Sequence, residues 1–418
     1  IINLLAGLWD TKLSKSQKRP FRAFLLYNVF MNHCPYCGEN PINHQANKFF
    51  VSMDIWFTPL RRKLFFGPID NYFVNPMADG LAFAIYQTLK ALKLIRFNRD
   101  ITKIPYQRAK TLWQEAINQG IEFAEIKPFG LSIDCYQTKI RGKQKIFFGL
   151  PRPENVDESI LDWIDDKWIL KQKLIQANLP VPNGGSFTDL NRALAFFQIL
   201  PKPVVVKPRK GSRGRHTTTL VQTTEQLIQA FAIAKQLCHY IVIEEYLAGD
   251  VYRGTVIDSK LVGILGGSSP KVTGDGVSTI ASLVEQHNQN LPAGMQPVKI
   301  TESNLRHLLR QNLSLDSVLP PNKTVTLSEK IGVAYGGTSF DCTEVAHPKT
   351  KQMFLDAAAA VSDPILGFDF IAEDIRKSPQ EQACGIIECN GAPFINLHYD
   401  PLYGQTINAA KHVWDLLI

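Results

Sequence analysis

Asp369, Glu388 and Asn390 sit inside two apolar runs, Gly367-Phe368-Asp369-Phe370-Ile371 and Ile386-Ile387-Glu388-Cys389-Asn390. Both runs read as buried strands. Side chains alternate faces along a strand, so Glu388 and Asn390 share one face, and Asp369 lies opposite Phe368 and Phe370. If the two strands pair, two carboxylates and an amide converge. A buried pair of carboxylates is costly unless something positive sits between them. Oxygen-only ligands suit Mg2+ held against phosphates. Taken alone, the same residues read equally well as strand-end acids facing solvent.

Four segments upstream add to that reading. Lys207-Pro208-Arg209-Lys210-Gly211-Ser212-Arg213-Gly214-Arg215 follows an apolar strand. Its glycines let backbone N–H groups wrap an anion, and lysine supplies a point charge for phosphate. It is not a P-loop, because no Gly-Lys-Ser/Thr enters a helix. Ile241 to Asp250 is a strand ending in acids, with backbone groups suited to an adenine edge and a carboxylate suited to ribose. Val272-Thr273-Gly274-Asp275-Gly276-Val277-Ser278-Thr279 leads into a helix N-terminus, which favours anions. Tyr335-Gly336-Gly337-Thr338 offers backbone donors close to a ligand. Each segment alone has a plainer reading as a solvated turn, a strand end or a helix cap.

The elements that must position these groups form two regions. Residues 1 to about 150 are aromatic-rich. They contain a helical stripe over Met77–Leu94, a helix over Ala109–Gln119 stopped by Gly120, and a hairpin over Tyr136–Phe148 turning at Arg141-Gly142. Pro151-Arg152-Pro153-Glu154 marks a boundary. From Asp157 onward strands and helices alternate, which favours α/β or α+β. A helix spans Asp165–Ala177, strands span Pro203–Lys207 and Tyr240–Glu244, and Thr223-x-x-Gln226 opens a helix with a capping box. Tyr252–Ile257 and Leu261–Leu265 form a hairpin turning at Asp258-Ser259. Ser278 is placed to cap a helix, Thr324–Leu327 is a strand, and Phe354–Val361 is helical. The expected division is 1–155 and 156–418.

Composition excludes several classes. Hydrophobic residues make up 45% and charged residues 20%, as in an ordinary globular protein. The net charge of +8 suits a phosphate-binding enzyme, and no nucleic-acid motif accompanies it. No run of about 18 apolar residues exists, so no membrane span is expected. Seven cysteines do not make a disulfide framework, and buried thiols in a reducing cytoplasm are the expectation. Cys34-Pro35-Tyr36-Cys37, with His33 and His44, hints at zinc. No second Cys-x-x-Cys follows to complete four ligands, so zinc is not expected. The chain starts at Ile1 rather than Met, which leaves open a segment ahead of it.

The order of the segments is the stronger signal: lysine-glycine loop, acidic hinge, Gly-Asp-Gly loop, Gly-Gly-Thr, Asp strand, Glu-x-Asn strand. In that order the chain resembles the ATP-grasp superfamily, and more closely the ATP-grasp part of cyanophycin synthetases. The resemblance rests on Val206-Lys207-Pro208, Glu244-Glu245-Tyr246, Tyr252-Arg253, Val272 to Gly276, Gly336-Gly337-Thr338, His347-Pro348 and Glu388-Cys389-Asn390. It covers about 157 to 400. It implies an α+β ATP-grasp fold, with a lid subdomain at about 180–250; outside the resemblance, an additional N-terminal α/β domain is expected, with substrate recognition the hypothesis for it.

The resemblance also implies roles. Lys207 and Lys167 would bind ATP phosphates, with Gly211 and Gly214 in the loop above them. Glu244, Glu245, Tyr246 and Leu247 would hold adenine. Asp369, Glu388 and Asn390 would ligate Mg2+, or Mn2+ in its place. Arg253 and Lys271 would contact phosphate or substrate. Asp250 stands one position before the family's ribose-binding acid, where this chain has Val251. Gly391-Ala392-Pro393-Phe394 replaces the Pro-Gly that tends to follow the Glu-x-Asn strand. The Mur-ligase-like half of cyanophycin synthetases has no counterpart before Ile418, so a full cyanophycin synthetase is not expected. The implied chemistry is ATP-dependent joining of a small-molecule carboxylate to an amine. A non-ligating nucleotide-binding module and a phosphotransferase on the same scaffold are the other readings.

Overall fold

The computed structural model describes residues 34–37, 42–49, 51–52, 55, 86–154, 156, 160, 163–211 and 214–418. Of the helix expected over Met77–Leu94, residues 86–91 are helical and 77–85 lie outside the described residues. His33, Asp157, Ser212 and Arg213 lie outside them too.

Four sheets organise the described chain. The first contains β1 (Ile95–Asn98), β2 (Glu122–Pro128), β3 (Cys135–Ile140) and β4 (Lys143–Phe148) in sequential order, with α1 (Gln107–Asn118) between β1 and β2. After α2 (Lys167–Gln176) come β5 (Gly184–Phe187), α3 (Leu190–Ile199), β6 (Val204–Pro208), β7 (Thr218–Val221), α4 (Thr224–Lys235) and β8 (Ile241–Glu245). Those strands pair in the order β5-β8-β6-β7. The central sheet has the order β13-β10-β9-β14-β15. Its strands are β9 (Asp250–Ile257), β10 (Lys260–Gly267), β13 (Ser339–Asp341), β14 (Ile365–Ala372) and β15 (Gly385–Asn390). The small β11–β12 pair (Lys271–Thr273, Thr324–Thr326) carries α5 (Ile280–Gln289) and α6 (Glu302–Arg310). Helices α7 (Pro348–Val361) and α8 (Ala409–Asp415) complete the set. Helices and antiparallel sheets together make the α+β class expected from the sequence.

Alternation decides what the central sheet presents. Tyr252, Val256, Ile264, Leu366, Phe368 and Phe370 bury one face against Phe354, Ala357 and Val361 of α7. Arg253 and Asp369 therefore lie on the other face. At roughly 25 cal/mol per Å2 of apolar surface, each buried Phe contributes about 1.5–3 kcal/mol, enough to fix the strand register.

The β5-β8-β6-β7 sheet, where the lid is expected, has its own core of Val204, Val206, Ile241 and Ile243 against Phe197, Leu227 and Phe231. The capping box that starts α4 is formed, Thr223 and Gln226 each bonding the other's backbone N–H at 3.3 Å. Two expected helix starts shift. Thr279, not Ser278, caps α5, accepting from Ser282 N at 3.3 Å, while the Ser278 hydroxyl donates to Asp275. Helix α7 starts at Pro348 rather than near Phe354. Its cap is His347 Nδ1, which accepts from Lys349 N at 3.1 Å, and a proline fits the first helical position.

Residues on both sides of the boundary at 151–155 meet in one core. Leu112, Trp113, Phe123, Tyr136 and Phe147 pack with Ile257, Ile365, Ile395, Val413 and Trp414. The Trp414 indole donates to Leu112 O at 2.9 Å, which fastens α8 to α1.

The lid joins the central sheet through Gly249. Its φ is +127°, and a Cβ there would stand 2.1 Å from Ala372 O. Both the conformation and the space require glycine. Gly249→Ala is expected to lower stability by about 1–3 kcal/mol, read as a shifted urea midpoint with an unchanged slope.

Two buried histidines make stability depend on pH. His398 Nε2 meets Thr255 Oγ1 at 2.7 Å, and His307 Nε2 meets Thr326 Oγ1 at 2.8 Å. Burial pushes each imidazole down from 6.5 to about 4; Arg253 adds to this at His398, and Arg310 adds at His307 against the pull of Glu329. Between these values the unfolded chain binds more protons than the folded one. This contribution is therefore full above about pH 6.5 and lost as pH falls toward about 4. The melting temperature should be level above neutrality and decline through that window, and His398→Gln should make the decline shallower.

Candidate functional site

Three adjacent strands of the central sheet bring the acidic groups together. Asp369 on β14 is the register partner of Arg253 on β9 and of Glu388 on β15. Arg253, Asp369 and Glu388 thus form one row across the sheet. A β-bulge lies on β15 between Ile386 and Glu388, because Asp369 pairs with Glu388 while Phe370 pairs with Ile386. Ile386 and Cys389 both point into the core, and the bulged Ile387 is what turns Glu388 and Asn390 to the opposite face.

The Asp369 carboxylate is gripped by Arg253 through Nε and Nη2, both at 2.7 Å. This two-point bond fixes the carboxylate's orientation. Asn390 Nδ2 is buried and has no hydrogen-bond partner. A buried amide atom left unsatisfied is costly, so a ligand group beside Asn390 would relieve it. Glu388, Asn390 and the outer lone pairs of Asp369 form a hard, oxygen-rich donor set. That set fits Mg2+.

The facing wall comes from α2 and the lid. Asp166 caps α2, accepting from Trp168 N and Ile169 N at 3.1 Å, and also pairs with Arg209 Nε at 2.7 and 2.9 Å. One aspartate therefore ties the helix start to the loop after β6 and sets the position of Lys167. Lys167 Nζ donates to Gly211 O at 2.7 Å and lies 3.9 Å from Glu388 Oε1. It bridges the glycine loop and the acidic strand.

Lys207, at the end of β6, pairs with Glu244 on the neighbouring β8. Lys171 holds the other oxygen of Glu244 at 2.7 Å and also donates to Pro182 O at 2.5 Å. Burial alone would raise the Glu244 carboxyl, but Lys207 and Lys171 outweigh it and hold it below the usual carboxylate range. Burial pushes the Lys171 ammonium down, against the pull of Glu244. The sequence reading missed Lys171, although it stands one helical turn after Lys167 and so faces the same way.

The other expected residues are more dispersed. Glu245 and Tyr246 have donated their N–H groups, to Asn183 O at 2.9 Å and Pro203 O at 3.1 Å, and Leu247 is buried beside them. Asp250 is half-buried at the start of β9; burial pushes its carboxyl up against the pull of Lys271. Lys271 itself is exposed on β11, paired with Thr326 rather than with the central row. Gly214 turns at φ +60°.

Two arginines from the N-terminal region also reach the site. Arg108 donates to Ala392 O at 2.6 Å, pairs with Asp134, and lies 5.6 Å from the Phe394 ring centroid. Arg152 pairs with Asp363 at 3.1 Å and donates to Gly391 O. Together they hold the loop that follows Asn390. Only distant pairing reveals this role, and neither arginine sits in a motif. A cavity of about 350 Å3 lies beside these groups, lined by Lys171, Leu179, Pro182 and Asn183 among others.

No protein-family model matches the chain. Among curated proteins, a cyanophycin synthetase of Synechocystis sp. is 32% identical over 263 residues, covering 60% of this chain and 30% of that one. The glutathione biosynthesis bifunctional protein of Clostridium perfringens is 30% identical over 334 residues, covering 77% and 42%. The chain spans less than half the length of either relative. Among solved structures, a bifunctional glutathione synthetase from Pasteurella multocida matches with 24% identity and a TM-score of 0.49, over 74% of this chain and 43% of that one. Among the described residues, no helix is long and apolar enough to cross a membrane. With these relatives, and with lysine loop, hinge and acidic strands in the order read from the sequence, the chain resembles the ATP-grasp part of cyanophycin synthetases.

Proposed function

We propose that the chain is an ATP- and Mg2+-dependent carboxylate–amine ligase acting on an amino acid or peptide. One observation carries this reading: Lys167 touches the glycine loop and approaches Glu388 at once. A cation poised between a loop of backbone groups and a carboxylate that fits Mg2+ is where a triphosphate belongs.

The substrate carboxylate attacks the γ-phosphorus and ADP leaves with the bridging oxygen, forming an acylphosphate; the amine then attacks the acyl carbon, forming the amide as inorganic phosphate leaves and the amine's proton passes to it or to water. Glu388, Asn390 and Asp369 would hold Mg2+, which would supply positive charge against the phosphate oxygens. Lys167 and Lys207 spread the remaining negative charge. On ATP binding, Lys207 shares its ammonium between Glu244 and phosphate, while Lys171 keeps Glu244 paired. Arg253 keeps Asp369 aimed. Residues 1–155 serve substrate recognition: Arg108 and Arg152 shape the loop at 391–394, and the acceptor side lies there. The work is positioning and charge neutralisation, with no covalent enzyme intermediate.

The test is Mg2+-dependent ADP release with a pool of amino acids and short acidic peptides. Release that requires both a carboxylate and an amine is expected. Release without any amine would replace this reading with a phosphotransferase. Tight ATP binding without release across the pool would replace it with a nucleotide-binding module.

A further inference from the structure

Cys34, Cys37 and His44 lie in the N-terminal region, and His216 lies in the loop after Lys207. The fold brings these four distant residues together, with their ligand atoms all within 4.8 Å of one another. Sequence spacing alone offers the Cys-x-x-Cys pair no second pair nearby to complete four ligands. The fourth ligand comes from 179 residues beyond Cys37.

We propose that these residues form a structural zinc site that fastens the 34–49 segment to the lid. Tetrahedral zinc with Zn–S near 2.3 Å and Zn–N near 2.0–2.1 Å needs ligand atoms about 3.3–3.8 Å apart. Cys37 Sγ lies 3.1 Å from His44 Nε2 and 3.4 Å from His216 Nε2, and Cys34 Sγ lies 3.5 Å from His216 Nε2. Two of these distances lie in that range and the third is shorter, with all four ligand atoms within 4.8 Å of one another.

The outer shell agrees. His216 Nδ1 donates to Ile233 O at 2.8 Å, which leaves Nε2 with its lone pair aimed at the two sulfurs. Metal-ligating histidines are oriented in this way. His216 N also donates to Tyr36 O at 3.1 Å, so the backbones of both partners are already joined. Asn43 caps the short helix that begins at His44, accepting from Ala46 N at 3.0 Å, and so sets the direction of that imidazole. Cys37 and His216 are 3% and 1% exposed, which makes the site closed, as structural zinc sites are.

The packing gives the ion a task. Among the described residues, and apart from half-buried Cys34, the apolar core between this segment and the lid is Cys37, Ile42 and Leu237. So small a cluster needs a staple. Two thiolates neutralise Zn2+, so the site adds no charge beside the basic loop. The loop is then held at both ends, at Gly211 by Lys167 and at His216 by the metal.

The test uses the whole chain purified in the presence of reductant, and no readout depends on ligase activity. Elemental analysis should find one zinc per chain, removable by a strong chelator with a fall in melting temperature and restored by Zn2+ alone. Co2+ in its place should give the intense visible bands of tetrahedral sites and a sulfur-to-cobalt charge-transfer band. His216→Ala should lower zinc content at least tenfold. Cys34→Ser, which spares the buried pair, should roughly halve the charge-transfer band while leaving the fold intact. Zinc below about a tenth per chain after refilling would overturn the proposal. So would a cobalt spectrum insensitive to Cys34→Ser, or a Cys34–Cys37 disulfide in the reduced preparation.

Discussion

Glu388→Ala is expected to cut Mg2+-dependent ADP release about 100- to 1,000-fold, the usual cost of removing one group that stabilises developing charge. The melting temperature should hardly move. Glu388 is only partly buried, and the Arg253–Asp369 pair beside it stays intact without it. Asp369→Ala should differ. It strips a partly buried guanidinium of its partner and should lower stability as well as turnover. Comparing the two variants separates chemistry from folding. An alanine at 388 that released ADP at the parent rate would remove Glu388 from the proposed metal set and, with it, the proposed mechanism.

Glu244→Gln should be the most damaging single change to stability, by about 3–5 kcal/mol, because it leaves two buried ammonium groups facing a neutral amide. Lys171 and Lys207 both depend on this one carboxylate. The amide keeps the shape, so no cavity confuses the result. Urea unfolding without nucleotide measures it. The carboxyl is held below its ordinary range, so its contribution is full above that range and is lost as pH falls through the lowered value. The penalty of the variant should therefore shrink in strong acid. A loss under about 1 kcal/mol at neutral pH would mean the lysines reach water or other acceptors when the carboxylate is gone.

Short-range patterns told much of this in advance. The β3–β4 and β9–β10 hairpins, the capping box of α4 and the shared face of Glu388 and Asn390 follow from period-two alternation and local turn chemistry. What stayed hidden depends on residues far apart in sequence. The bulge at Ile387 exists only relative to β14, and Arg108 and Arg152 matter only through a loop more than 200 residues away. Lys171 stands in no motif, and its role depends on Glu244, 73 residues away in sequence. Cys34 and Cys37 looked incomplete because spacing rules search nearby, whereas His216 arrives by way of the lid. Helix α3 went unassigned although Asp189 caps it, accepting from Arg192 N at 3.0 Å, and Phe197 anchors it.

The bond from Trp414 to Leu112 spans 302 residues. On a ribosome adding about 5–20 residues per second, the apolar side of α1 emerges some 15–60 seconds before α8 can cover it. Over that interval Leu112 and Trp113 present a sticky surface on a nascent chain whose lid, with a core of its own, can already close. Chaperone demand during synthesis should therefore fall on the region around α1, and should ease once α8 leaves the exit tunnel.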